Sequence, residues 1–393
     1  MEQSMKKEVM SAPGIGLLTD FWKEKYLEEY IPFGGSKIKF VTGRSGSGKT
    51  YLLQLMTRLA KHGNYRAVSF SARDIWLNDF KEIYFEVLKQ CDLMECLKGC
   101  SRKIVMQMGY SYEEIPEGLT FMDYLSGENM GDALTRREIR TQLKEMFLDN
   151  PLLDNNFALA CSMLTGSLLG YPVMEEQSKS VLMGWLLGDR TVKLTQVRTL
   201  GLSPSRITKY NARHMLRSLA EVVHMGGYAG IFVAVDDLDI LVSRSSLELL
   251  HYTKMKREDT YESIRQLIDE IDSLKHLMFV FAFDRSLMDE ENTGLKSYQA
   301  LWMRIQTEVH GEHFNRFSDI VDLDVMAAKE YTPQIILEIS KVFSEEQQKQ
   351  SMSVLSMEQA EALLAQSKFG NTGIPQMIYH AMIGGTEDAA ENK

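Results

Sequence analysis

The stretch GRSGSGKT, residues 43–50, decides how this chain reads, because it matches GxxxxGK[ST] in full. Just before it, the apolar run Ile38–Val41 reads as a buried strand. Just after it, YLLQLMTRLAKHG has helical spacing and stops at Gly63. A further strand, Tyr65–Phe70, follows, so the order is strand, loop, helix, strand: a βαβ unit. Gly43, Gly46 and Gly48 let the backbone curl with its N–H groups inward and no Cβ in the way. The helix N-terminus adds the positive end of its dipole. Lys49 is expected to reach the β and γ phosphates, and the Thr50 hydroxyl to ligate Mg²⁺. The nucleotide-binding candidates are Gly43, Arg44, Ser45, Gly46, Ser47, Gly48, Lys49, Thr50 and Tyr51, with ATP and Mg²⁺ as cofactors.

A second signal lies far downstream. IFVAVDDLD, residues 231–239, is an apolar strand run ending in carboxylates, which sets Asp236 at the C-terminal edge of a buried strand. There it would hold the metal through water, as a Walker B acid does, while Asp237 would orient or deprotonate the attacking water. Asp239 reads as a solvated or structural acid. Glutamate is the usual residue where Asp237 stands. Aspartate is one methylene shorter, about 1.5 Å of reach, and misplacement of that order costs about a hundredfold in rate. Slow turnover is expected.

Outward from these motifs, 393 residues with 44% hydrophobic and 25% charged residues describe a globular chain of two to three domains. A net charge of -10 argues against general nucleic-acid binding. No run is long enough to span a membrane, and MEQSMKKEVMSAPG lacks the apolar stretch of a signal peptide, so a cytoplasmic location is expected. The 4 Cys lack zinc-site spacing and read as reduced structural thiols. FWKEKYLEEYI reads as a lead-in helix, residues 74–224 as mostly helical, and Leu277–Phe281 and Ile320–Val325 as further strands.

These two motifs, with a strand at 277–281, resemble an additional-strand (ASCE) P-loop ATPase of the AAA+ and Orc/Cdc6-like branch. Four further segments narrow the resemblance: WLLGD (185–189), TLGLS (199–203), HMLRSLAEVVHMGGYAGIFVAVDD (214–237) and ENTGLKSYQALWMRI (291–305). They resemble the P-loop ATP-binding proteins of BREX-type phage-defence systems, over some two thirds of the chain and leaving out the first 35 residues. The resemblance implies an α/β fold with a three-layer P-loop core, a parallel sheet, a large helical insertion and a C-terminal helical lid. The corresponding divisions are 1–35 (lead-in), 36–90 and 220–325 (core), 91–219 (insertion) and 326–393 (lid and tail). By position it makes Asp284 a sensor candidate and Arg316 an arginine-finger candidate, with Arg304 second; either arginine reads equally as a surface ion-pair partner. A finger acting in trans would imply a homo-oligomer. Gln376 stands where such lids often carry a sensor arginine.

Between Arg190 and Ala220 there is no Asp or Glu. Ser203-Pro204 reads as a helix start, which would put Arg206, Lys209, Arg213 and Arg217 on one helix face. That face would meet DNA phosphate or an acidic partner, or simply water. The charge-alternating KMKREDTYESIRQLIDEID (254–272) reads as an exposed helix. The resulting expectation is an ATPase that switches or assembles a DNA-acting defence complex together with other system subunits. The alternative is an ATP-gated scaffold with little turnover; a small-molecule kinase fits less well, given the long span between the motifs.

Overall fold

The computed structural model describes residues 13–128, 131, 133–245, 247–306, 314–346, 354–368 and 370–391. Five strands form one sheet: β1 (Ser36–Gly43), β2 (Tyr65–Ser71), β3 (Gly230–Asp236), β4 (Leu277–Asp284) and β5 (Ile320–Asp322). All pairings are parallel, in the order β2-β3-β4-β1-β5. The strand sequences are near-continuous apolar runs because both faces of a parallel sheet are covered. Alternate residues divide between the faces. Ile231, Val233, Val235, Phe279, Phe281 and Phe283 point into one core. Phe232, Ala234, Met278, Val280 and Ala282 point into the other, with the helix Lys49–His62.

Register places the functional strand ends together. Gly43 lies opposite Asp284, and Ser71 opposite Asp236. The phosphate loop and the acidic strand end therefore share the C-terminal edge of the sheet, where open α/β sheets bind ligands.

Among the described residues between β2 and β3, every regular element is helical, and those helices pack on the first core. The lead-in forms a helix at Gly16–Trp22 that widens over Lys23–Glu28, and Trp22 and Leu27 are buried in the second core. All four cysteines are buried and unbridged.

Three expectations need correction. The fifth strand stops at Asp322, because its carboxylate accepts the Asp324 and Val325 N–H groups (2.9 and 3.2 Å) and caps a helix at Leu323–Glu330. No helix starts at Ser203-Pro204. The Asn156 amide pairs with both backbone groups of Ser203 (2.8 and 3.1 Å), satisfying them without a helix, and the helix is Ala212–Met225. The helix Lys254–Asp269 is exposed on one side only, since Tyr261, Ile264 and Leu267 are buried in the first core.

Candidate nucleotide-binding site

β1 delivers the chain into a loop whose turns need glycine: Gly46 and Gly48 have φ of 72° and 94°, a region that side chains with a Cβ avoid. From the following helix, Lys49 Nζ turns back and donates to the carbonyls of Gly43 (2.8 Å) and Arg44 (2.9 Å). It lies 3.5 Å from Asp284 Oδ2, so the β4 end faces this ammonium. The Thr50 hydroxyl donates to Asp236 Oδ2 at 2.7 Å, joining two motifs that are far apart in the chain. Asp236 Oδ1 also accepts the Asp237 N–H at 2.8 Å.

Burial pushes the Asp236 carboxyl above its ordinary value, against the opposing pull of the Thr50 hydrogen bond. A half-buried carboxylate beside a hydroxyl is an all-oxygen donor set of the type that suits Mg²⁺, and a cation there would offset the cost of the buried charge. The raised value means that the folded protein holds the Asp236 proton more tightly than the unfolded chain does. Ionised Asp236 therefore costs stability near neutral pH, and the cost disappears as pH falls toward the ordinary carboxylate range. Asp236→Asn is expected to melt at or above the parent temperature at about pH 7, with the gain shrinking at about pH 5. The same variant should lose most of the stabilisation that MgATP gives the parent in parallel melts.

Asp237 takes another course. It stands in the left-handed region (φ 58°), and its carboxylate accepts from Ser71 Oγ at 2.7 Å and lies 3.3 Å from Arg73 Nε. Arg73 also pairs with Asp239 (3.4 Å) and Glu248. Asp239 in turn accepts the Asp284 N–H at 2.9 Å and ties the ends of β3 and β4 together. Asp236 is thus brought to the phosphate loop, whereas Asp237 is turned toward the end of β2.

Arg44 faces away from the loop interior. Its N–H donates to Asp324 Oδ2 (2.7 Å), its Nε lies 3.1 Å from Asp324 Oδ1, and its guanidinium donates to the carbonyls of Ser367 (3.1 Å) and Gly370. The next residues carry the C-terminal segment directly: Gly373 N–H donates to the Ser45 carbonyl (2.8 Å) and Gln376 N–H to that of Gly46 (3.3 Å). Gly373 sits so close that an added Cβ would lie 2.4 Å from the Ser47 backbone. Beside Gly46–Tyr51 opens a cavity of about 400 Å³ with apolar walls from Ile15, Tyr331, Ile339, Phe343 and Tyr379. That size and lining fit a small flat ligand lying against the phosphate loop.

The arginine candidates lie elsewhere. Arg304 is paired with Asp269. Arg316 occupies the turn before β5, whose Phe317 and Ser318 carbonyls accept from the buried Lys39 Nζ (2.7 and 2.8 Å). Lys39 precedes Gly43 by about 13 Å of strand at roughly 3.3 Å per residue, so Arg316 is set toward the other edge of the sheet. The expected basic face is not formed. Arg206 and Lys209 precede the helix, Arg213 is bound to Glu270 (3.1 Å), and Arg217 donates to the Leu152 carbonyl (3.1 Å).

A family model described as the BREX system ATP-binding protein BrxC/D matches residues 24–380. The chain belongs to this BREX ATP-binding family. No curated protein and no solved structure matches it. The BrxC/D match takes in all five strands, the phosphate loop and the residues that strap the C-terminal segment to it. It also begins within the lead-in, earlier than the resemblance read from the motifs. Membership makes this an ATP-binding protein of a phage-defence system. Among the described residues, no helix is long and apolar enough to cross a membrane.

Ser71, Arg73 and Asp324 were not read from the sequence as parts of the site. One signal was present for the first two: SARD follows the strand Tyr65–Phe70 directly, and so must emerge at the same sheet edge as the phosphate loop.

Proposed function

We propose that this BrxC/D-family chain is a P-loop ATPase that couples ATP·Mg²⁺ binding and hydrolysis to switching or assembling a DNA-acting defence complex. The observation that carries the reading is the Thr50–Asp236 hydrogen bond beside Lys49. Lys49 would exchange its loop carbonyls for the β and γ phosphates, and the loop N–H groups would cradle them. Mg²⁺, when bound, would neutralise phosphate charge, and Thr50 and Asp236 are the residues that would hold it. Asp237 would orient the water, which requires it to leave Ser71 and Arg73.

The position of β4 between β1 and β3 supports the additional-strand, AAA+-like reading. With it goes the division into a lead-in, a split core around a helical insertion at 91–219, and a lid from 326. The remoteness of Arg316 from its own phosphate loop supports an arginine finger that serves a neighbouring copy. The test is ATP turnover with and without double-stranded DNA, beside Lys49→Ala and Asp237→Ala. Turnover that DNA stimulates and both variants lose would uphold the reading; tight ATP binding without turnover would defeat it.

The second reading is an ATP-gated scaffold with little turnover, and one observation favours it: Asp237 is held by Ser71 and Arg73, away from Thr50. The two readings separate at Arg73. The Arg73–Asp237 pair is partly exposed and is worth about 0.5–1 kcal/mol. If that pair restrains a catalytic Asp237, Arg73→Ala should raise DNA-free turnover about two- to fivefold. A scaffold would show no change in steady-state phosphate release.

A further inference from the structure

A second cavity, of about 380 Å³, lies among the helices that cover the sheet face opposite the phosphate-loop helix. Phe85 and Trp185 form part of its wall, and Trp185 is fixed by a 3.0 Å hydrogen bond from its Nε1–H to the Ser205 carbonyl. Arg190 and Arg206 line the same cavity and are exposed. Among the described residues neither guanidinium has an acidic partner. Glu82 and Asp189 line the cavity too, beside Lys81: Glu82 faces Lys81 at 3.2 Å, and Asp189 accepts both the N–H and the hydroxyl of Thr191 at 2.8 Å. Lys193, Arg198 and Lys209 are exposed along the same acid-free run. In a chain of net charge -10 this is a local reversal of the field.

Two guanidinium groups without an ion-pair partner at one cavity can both turn to a shared anion. Guanidinium forks match phosphate oxygens, and the half-buried Phe85 ring gives the cavity an apolar wall for a base, Trp185 being buried behind it. We propose that this cleft binds single-stranded nucleic acid, with one unpaired base in the cavity and the adjoining phosphates on Arg190 and Arg206. A duplex presents phosphates without a free base face, and an acidic peptide presents carboxylates without a planar ring. The assignment is independent of how the phosphate loop is read, because that loop belongs to the other face.

The experiment is fluorescence anisotropy with a labelled single-stranded oligonucleotide, without nucleotide, at several salt concentrations. It compares the parent, Arg190→Glu/Arg206→Glu, and the control Lys144→Glu/Lys254→Glu, which makes the same charge change at exposed sites elsewhere. Melting curves check that each variant is folded, and Lys49→Ala repeats the measurement with the phosphate loop disabled. The cavity variant should bind at least about tenfold more weakly and reduce the magnitude of the slope of log K against log salt by about 1.4. The control and Lys49→Ala should match the parent. Equal loss in the control, no binding by the parent, or a blunt duplex or polyglutamate bound as tightly as the single strand would each overturn the assignment.

Discussion

Lys49→Ala is expected to weaken ATP binding by about a hundredfold, close to 3 kcal/mol, while the ligand-free protein melts near the parent temperature. The asymmetry follows from the partners of Lys49 in the structure. Its ammonium donates to the Gly43 and Arg44 carbonyls, which are neutral acceptors on the same short loop, and removing it leaves no buried charge unpaired. With ATP the same donors would meet phosphate oxygens, where a charge-assisted bond is roughly twice as strong. Asp284, 3.5 Å away, sharpens the effect. Once Lys49 is gone, the Asp284 carboxylate would face the triphosphate without that ammonium between them. Lys49→Ala/Asp284→Asn should therefore recover part of the lost affinity in calorimetric titration. Equal affinities for the two variants would place Asp284 outside the phosphate field.

Phe281→Ala should have the largest effect on stability, about 4 kcal/mol. Phe281 is fully buried at the centre of β4 and stacks on Phe40 of β1 (5.5 Å between ring centroids) and on Phe279 (5.7 Å). Deleting it opens a cavity in the first core, under the neighbouring strands that feed the phosphate loop and carry Asp284. Phe281→Leu should cost less than about 1.5 kcal/mol, because most of the volume is kept. Urea unfolding midpoints would check both. Similar small losses in the two variants would mean that the site collapses around the gap.

The strand–loop–helix–strand unit and the strand ahead of Asp236 were legible because each is a local pattern: apolar runs bounded by glycine or carboxylate. The end of β5 was not, because Val325 looks like strand while its backbone is captured by the Asp322 side chain. The helix start at Ser203-Pro204 failed for a related reason. A remote amide, Asn156, took up the backbone groups that a local cap would have used. The basic face fell with it, and what remains of that positive run surrounds a cavity that no periodicity could have indicated. The restraint on Asp237 was hidden as well, since Ser71 and Arg73 reach it only through the pairing of β2 with β3.

The C-terminal segment is fastened to the phosphate loop through the carbonyls of Ser45 and Gly46 and through the Arg44 side chain, and its Pro375, Gln376 and Tyr379 line the cavity beside the loop. On the proposed reading the loop would meet a nucleotide while the Gly373 and Gln376 N–H groups hold its carbonyls. Force applied to that segment would be transmitted to the phosphates across a single layer of backbone. A protein that gripped the C-terminal helices would hold a lever on nucleotide release through the wall those helices give the cavity.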